Sequence, residues 1–199
     1  MVYDLGNGRV LKIPRNKFQQ VITLFFWGYL NPIRIVRKLI SVSRMTETSL
    51  TKVKDLLKDV PLELAGHPQF IQDRAYEQDK ALPLMRFLTG NDVEGAKKII
   101  DQYVQHVFTC WALGFSEMTT NLTINHGLNE EGEVILLDIG ELLTKKEEVT
   151  ERLENKLWRT SWTYKYHMRN PAIRNYFDER MEKSMTRLNL EKYWNTSVP

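Results

Sequence analysis

Two short β-favouring runs open the chain. Val2 to Leu5 and Val10 to Ile13 flank Gly6-Asn7-Gly8, whose residues tolerate positive φ, so the pattern predicts a hairpin. From Gln19 to Leu30 the spacing is apolar and helix-compatible, and Asn31-Pro32 should end it because proline disfavours a helical residue before it. Further helices are expected over Ile33 to Val42 and Ser49 to Val60, then short strands or irregular structure around Gln69-Phe70-Ile71 and Tyr76-Glu77-Gln78. Asn91 and Glu94 have capping-box spacing, and Val93, Ala96, Ile99, Ile100, Tyr103, Val104, Val107, Phe108, Trp111 and Ala112 follow at helical intervals. They predict a long buried helix that stops near Gly114, where positive φ costs glycine little. Leu122-Thr123-Ile124 and Val134 to Leu137, joined through Gly127 and Gly132, predict a second hairpin. Thr144 and Glu147 repeat the capping-box spacing, and the rest reads as helices with Trp158, Trp162 and Trp194 as packing anchors.

Composition narrows the class. With 199 residues, 42% hydrophobic and 27% charged, the chain can build a core, as one domain or one domain with two lobes. The single cysteine, Cys110, excludes an intramolecular disulfide and fits a reducing, cytoplasmic setting. No run approaches the roughly 18 apolar residues of a membrane span. Charge is uneven: residues 1 to 46 hold eight Lys/Arg against Asp4, or +7, and the remaining 20 basic and 24 acidic residues give −4. The four histidines share no metal-ligand spacing.

Chemistry concentrates in one segment. Asn121 lies at the start of one expected strand, and Asp138 ends its partner in Val134-Ile-Leu-Leu-Asp138-Ile-Gly140. Two hard oxygen ligands converging there would suit Mg²⁺, which keeps much of its water. Equally, Asn121 simply begins a strand and Asp138 caps the turn after its partner.

The order of these motifs resembles the protein-kinase-like superfamily, in particular its aminoglycoside-phosphotransferase and bacterial small-molecule kinase branch. Gly8-Arg-Val-Leu-Lys12-Ile is similar to the strand that carries the phosphate-pairing lysine, at Lys12. Tyr76-Glu-Gln-Asp79-Lys-Ala81 resembles the strand and hinge that hold adenine, and Asp138-Ile-Gly140 resembles Asp-Phe-Gly. Asn121 is similar to the loop asparagine of the second metal ion. The resemblance implies an α+β, two-lobed kinase-like fold, with a reduced N-lobe over 1–80 carrying a basic helical insertion and a helical C-lobe over 81–199 carrying the metal-site hairpin. It also implies ATP and Mg²⁺ as cofactors and a small hydroxyl-bearing acceptor, a sugar or glycoconjugate.

Departures from the pattern open other possibilities. Ser116 stands five residues before Asn121, where the family has its catalytic aspartate, and Glu117 beside it becomes the candidate for that carboxylate. A second register takes Asn125, thirteen residues before Asp138, as the metal ligand and puts Thr120 at the base position. No glycine-rich loop precedes Lys12, and Glu47 is the best-placed partner for it. A catalytically silent pseudokinase therefore stands beside an active phosphotransferase.

A third class is a membrane-surface adaptor. Lys12 to Arg44 contains seven basic residues and no acidic one among aromatic and aliphatic positions, the composition of a segment that lies on anionic lipid, whereas nucleic acid is not expected as a partner. The adaptor predicts salt-sensitive flotation with anionic vesicles, lost on charge reversal at Arg34, Arg37 and Lys38. Flotation unchanged by that reversal removes the segment from any such role.

Overall fold

A computed structural model describes residues 1–13, 53–58, 60–71, 75–140, 142–159 and 162–195. The expected helices over 19–30 and 33–42, the basic stretch beyond residue 13, and Glu47 lie outside the described residues, as does the side chain of Trp162. The chain is a mixed α+β protein with small antiparallel sheets. Two compact units divide it: Met1–Asp59 with His67–Lys80, and Val60–Gly66 with Ala81–Pro199.

The first unit carries a four-stranded antiparallel sheet. Strands β1 (Val2–Asp4) and β2 (Arg9–Lys12) form the expected N-terminal hairpin. β3 (Gln69–Phe70) and β4 (Tyr76–Asp79) complete the sheet in the order β1-β2-β4-β3, with Lys12 opposite Tyr76. Arg9 secures the β2–β4 pair by donating to Asp79 at 2.7 Å and to the carbonyl of His67 at 3.1 Å.

In the second unit, α1 (Met85–Leu88) leads to the long helix α2 (Val93–Ala112). The apolar stripe predicted for α2 is its buried face, with Ile100, Tyr103, Val104 and Trp111 fully enclosed. Large apolar side chains contribute about 1.5–3 kcal/mol each when buried, which makes this helix the second unit's main support. Its N-terminus is capped by Asp92 rather than Asn91: the Asp92 carboxylate accepts from the Gly95 amide at 2.9 Å. Its C-terminus is where the glycine was expected, with Gly114 at φ +80°.

Four strand segments follow, and here the structure corrects the sequence. Leu122 to Ile124 are not a strand but part of a single helical turn, α3 (Leu122–Asn125), which the Asn125 amide closes onto the Asn121 carbonyl. The hairpin strand starts later, as β7 (His126–Leu128), and pairs with β8 (Val134–Leu136). Gly127 therefore lies in the strand, and Asn129 to Gly132 make the turn. The β-branched residues of the 122–124 run favour a strand in isolation, but hydrogen bonds to a buried carboxylate impose the turn. Flanking this hairpin, β6 (Ser116–Glu117) pairs with β9 (Leu142–Leu143), which joins the two ends of the 118–141 segment.

β5 (Leu82–Pro83) adds to β7, giving a three-stranded sheet β5-β7-β8. Helices α4 (Lys146–Glu154), α5 (Trp162–His167), α6 (Pro171–Ser184) and α7 (Arg187–Tyr193) fulfil the expected helical C-terminus. α4 begins after Lys145 with no side-chain cap, so the Thr144–Glu147 capping box does not form. Trp158 is buried and Trp194 packs on the core as expected. Asp101 of α2 ties α6 in place by accepting from Tyr176 at 2.8 Å and Arg180 at 2.6 Å.

Gly127 is required by close approach. A Cβ there would stand 2.9 Å from the Leu82 carbonyl oxygen, so that backbone would have to shift, and would press on Leu137 Cδ1 at 3.1 Å and the Ala81 Cβ at 3.2 Å. Gly127→Ala should lower stability by about 1–3 kcal/mol through overpacking, measured by urea denaturation. An unchanged midpoint would show that the 81–83 segment gives way freely.

Candidate functional site

Glu117 is the centre of the second unit's loop. It ends β6 and is 7% exposed, enclosed rather than presented to solvent. Its Oε1 accepts from the Thr119 amide at 2.8 Å, the Thr119 hydroxyl, and Asn125 Nδ2 at 2.9 Å. Oε2 accepts from the Asn121 amide at 3.1 Å. Burial pushes the Glu117 carboxyl above its ordinary range, and these hydrogen bonds oppose the shift.

Between the residues it binds, the backbone is strained. Thr120 has φ +48°, a left-handed conformation that costs a β-branched residue about 1–3 kcal/mol and persists only where neighbours enforce it. The bonds from Thr119, Asn121 and Asn125 to one carboxylate provide that enforcement.

Asp138 follows β8 by two residues. Its Oδ1 accepts from the Gly140 amide at 3.0 Å, and the residue is exposed, while the following Ile139 is fully buried and anchors the turn. The Asn125 carbonyl accepts from Leu137 N at 2.7 Å and Asp138 N at 3.4 Å. Asn125, just ahead of β7, is therefore joined to Asp138 at the open end of the hairpin. Asn121 lies a helical turn earlier, as the N-cap of α3, where its Oδ1 accepts from Thr123 at 3.0 Å. Of the two registers open in the sequence, the one built on Asn125 meets the Asp138 backbone.

The remaining expected site residues divide between the units. Lys12, in the first unit, ends β2 with Nζ 5.8 Å from the centre of the Tyr76 ring. Asp79, also in the first unit, is engaged by Arg9 at 2.7 Å and His67 at 2.6 Å. Ala81 belongs to the second unit and rests against Gly127. Ser116 is buried, accepting from Trp111 Nε1 at 3.2 Å and bonding to the Glu117 carbonyl.

Two residues that spacing alone did not connect support the loop from behind. The buried His126 ring meets Tyr103 and His106 of α2 edge-on, at centroid distances of 4.9 and 5.4 Å. Desolvation drives His106 down to about 4, against a bond to the Val134 backbone. His126 is also driven well below its usual value, by burial and by His106, against a bond to the Asn121 backbone. Cys110, 3.5 Å from His106 Nε2, is a buried thiol pushed upward by desolvation. The His106–His126 contact spans separate elements, so only the tertiary fold reveals it, whereas His106 and Cys110, four residues apart on α2, are neighbours that helical spacing alone brings together.

Asn125, 8% exposed, and Asp138, an exposed carboxylate, are joined through the backbone at one hairpin end, and both carry oxygens of the kind a hard cation takes. Among the described residues no cluster of three or more His, Cys, Asp or Glu side chains is arranged for a metal. Mg²⁺ needs none, since it is commonly held through one or two carboxylates plus substrate phosphates and water. Among the described residues no helix is long and apolar enough to cross a membrane. No protein-family model matches the chain, and no curated protein matches it.

Both histidines make the second unit acid-sensitive. Above pH 6.5 they are neutral folded or unfolded, so their contribution to stability is complete. As pH falls below 6.5 the unfolded chain takes protons the folded one refuses, and stability is lost until pH passes the folded value, about 4 for His106. The raised Glu117 carboxyl acts in the opposite sense above 4.5. Each histidine should lower the folded-to-unfolded ratio by up to about tenfold per pH unit in that window, and His106→Gln should show a shallower decline in urea denaturation. Parallel pH profiles for the two proteins would exclude His106 from the effect.

Proposed function

We propose that the chain is a kinase-like protein that binds Mg²⁺-ATP and transfers phosphate to a small hydroxyl-bearing acceptor, a sugar or glycoconjugate. In this reading residues 1–80 form a reduced N-lobe and 81–199 a helical C-lobe. One contact supports it above all: the Asn125 carbonyl bonds the amides at Leu137 and Asp138, which puts an amide and a carboxylate residue together where the Asp-Ile-Gly resemblance implies metal ligands. Asn121, a turn away, is the other amide the resemblance nominates.

Phosphoryl transfer asks little covalent chemistry of a protein. The transferring group passes through a loose, highly charged arrangement, so positioning and charge neutralisation by Mg²⁺ do most of the work. Asn125 and Asp138 would hold the ion, and Lys12 on β2 is the residue that matches the phosphate-pairing lysine of the resemblance.

A second reading is a nucleotide-binding protein without turnover. It is favoured by one observation: Glu117, the carboxylate nearest the position where a catalytic aspartate is expected, is enclosed and accepts four hydrogen bonds.

At a concentration one hundred times Kd, a ligand stabilises by about 2.7 kcal/mol. For a chain of this size that corresponds to a rise in Tm of about 5–10 °C with Mg²⁺-ATP. Asp138→Ala, at an exposed position, should remove the shift while leaving the fold intact, and Lys12→Ala tests the first unit's part separately. No shift in the wild-type protein, or one indifferent to Asp138 and to Mg²⁺, overturns both readings. ATP consumption dependent on an added sugar separates the enzyme from the silent binder.

A further inference from the structure

We propose that Glu117 is a positioning residue: it turns the Asn125 side-chain amide so that Oδ1 faces away from the loop interior, as a ligand for a divalent cation. This rests on the Mg²⁺-nucleotide reading above.

The polarity of the loop carries the inference. A primary amide has a donor end and an acceptor end, and the hydrogen bonds around it decide which way it lies. Asn125 Nδ2 is 2.9 Å from Glu117 Oε1 and 3.1 Å from Thr119 Oγ1. The Thr119 hydroxyl spends its own hydrogen on Glu117 Oε1, so it faces Asn125 with lone pairs. Both acceptors thus lie on one side of the amide, and both Nδ2 hydrogens are committed to them. The flipped amide would set Oδ1 against a carboxylate oxygen in a buried loop, where an unfavourable contact is expensive because little water screens it.

Protonation of the carboxyl does not change this. Oε1 accepts three donors and Oε2 one, so a proton would sit on Oε2 and leave the face toward Asn125 an acceptor. The main chain of Asn125 is held as well, through its carbonyl to Leu137 N and Asp138 N. With its amide and its carbonyl both fixed, Asn125 presents one defined oxygen, and among the described residues no donor reaches it. A general base, by contrast, must offer an oxygen within reach of the acceptor hydroxyl, and Glu117 is 7% exposed with its oxygens engaged. Glu117 thus acts through Asn125, not on the substrate.

The experiment reads Mn²⁺ by electron paramagnetic resonance in the presence of ATP, with ATP affinity in EDTA as the metal-free control. Glu117→Gln can turn its own NH₂ toward Asn125 and release the amide to flip. Mn²⁺ affinity should fall about tenfold to a hundredfold, the usual cost of losing a group that orients a metal ligand, with ATP affinity in EDTA unchanged. Glu117→Gln combined with Asn125→Asp restores a donor–acceptor pair with reversed polarity, and Mn²⁺ binding should recover.

Wild-type Mn²⁺ affinity in the folded single variant, or failure of the folded double variant to recover, overturns the positioning role while leaving nucleotide binding intact. Absence of Mn²⁺-ATP binding in the wild-type protein overturns the nucleotide reading instead. The orientation itself is then decided by nuclear magnetic resonance on the unmodified protein, which also serves if a variant does not fold. Exchange-protected Asn125 NH₂ protons with Overhauser contacts to Thr119 support the proposal. Rapidly exchanging protons without those contacts overturn it.

Discussion

A carboxylate enclosed at the end of a strand must be hydrogen-bonded, because a buried charge without partners costs several kcal/mol. Glu117 meets that requirement locally, drawing in two backbone amides, a hydroxyl and a side-chain amide from the nine residues that begin with itself. The loop's shape follows from this. Thr120 is held at positive φ, Leu122 to Asn125 close into a helical turn, and the strand of the hairpin is delayed until His126. Had these residues continued as a strand from Leu122, the hairpin would have met β8 in another register and Asn125 would not stand beside Asp138.

Two supports fix this loop in the second unit. β6 and β9 pair across its ends, so the 118–141 segment is closed at its base. Behind it, His126 seats against Tyr103 and His106 on α2, the helix whose buried stripe anchors the core. Rigidity at the site therefore derives from α2, and α2 in turn is held by α6 through Asp101. The proposed cation site would gain from such support, since side chains already held in place lose little entropy on binding.

Much of the scaffold was legible from local pattern. The N-terminal hairpin, the α2 stripe, Gly114 at its end and the C-terminal helices all follow from periodicity and glycine placement. These are features in which neighbours along the chain share one face or one turn. Caps were less legible: Asn91 and Asp92 are both good N-cap residues, and one hydrogen bond to Gly95 selected Asp92. At the candidate site, the sequence left Asn121 and Asn125 as rivals, and it is Asn125 that the fold joins to the Asp138 backbone.

By itself, then, the chain's sequence determined which segments are amphipathic, where glycines permit turns, and that Asp138 ends an apolar strand before Ile-Gly. Tertiary structure alone decided that Leu122 to Ile124 would be helical, that Gly127 would lie under the Leu82 carbonyl, and that Asn125 would meet the Asp138 backbone. The physical reason is that helix and turn propensities are differences of at most about 1 kcal/mol per residue, whereas an unsatisfied buried carboxylate costs several times more. Where the two conflict, the buried group prevails, and its partners become known only once the chain has folded around it.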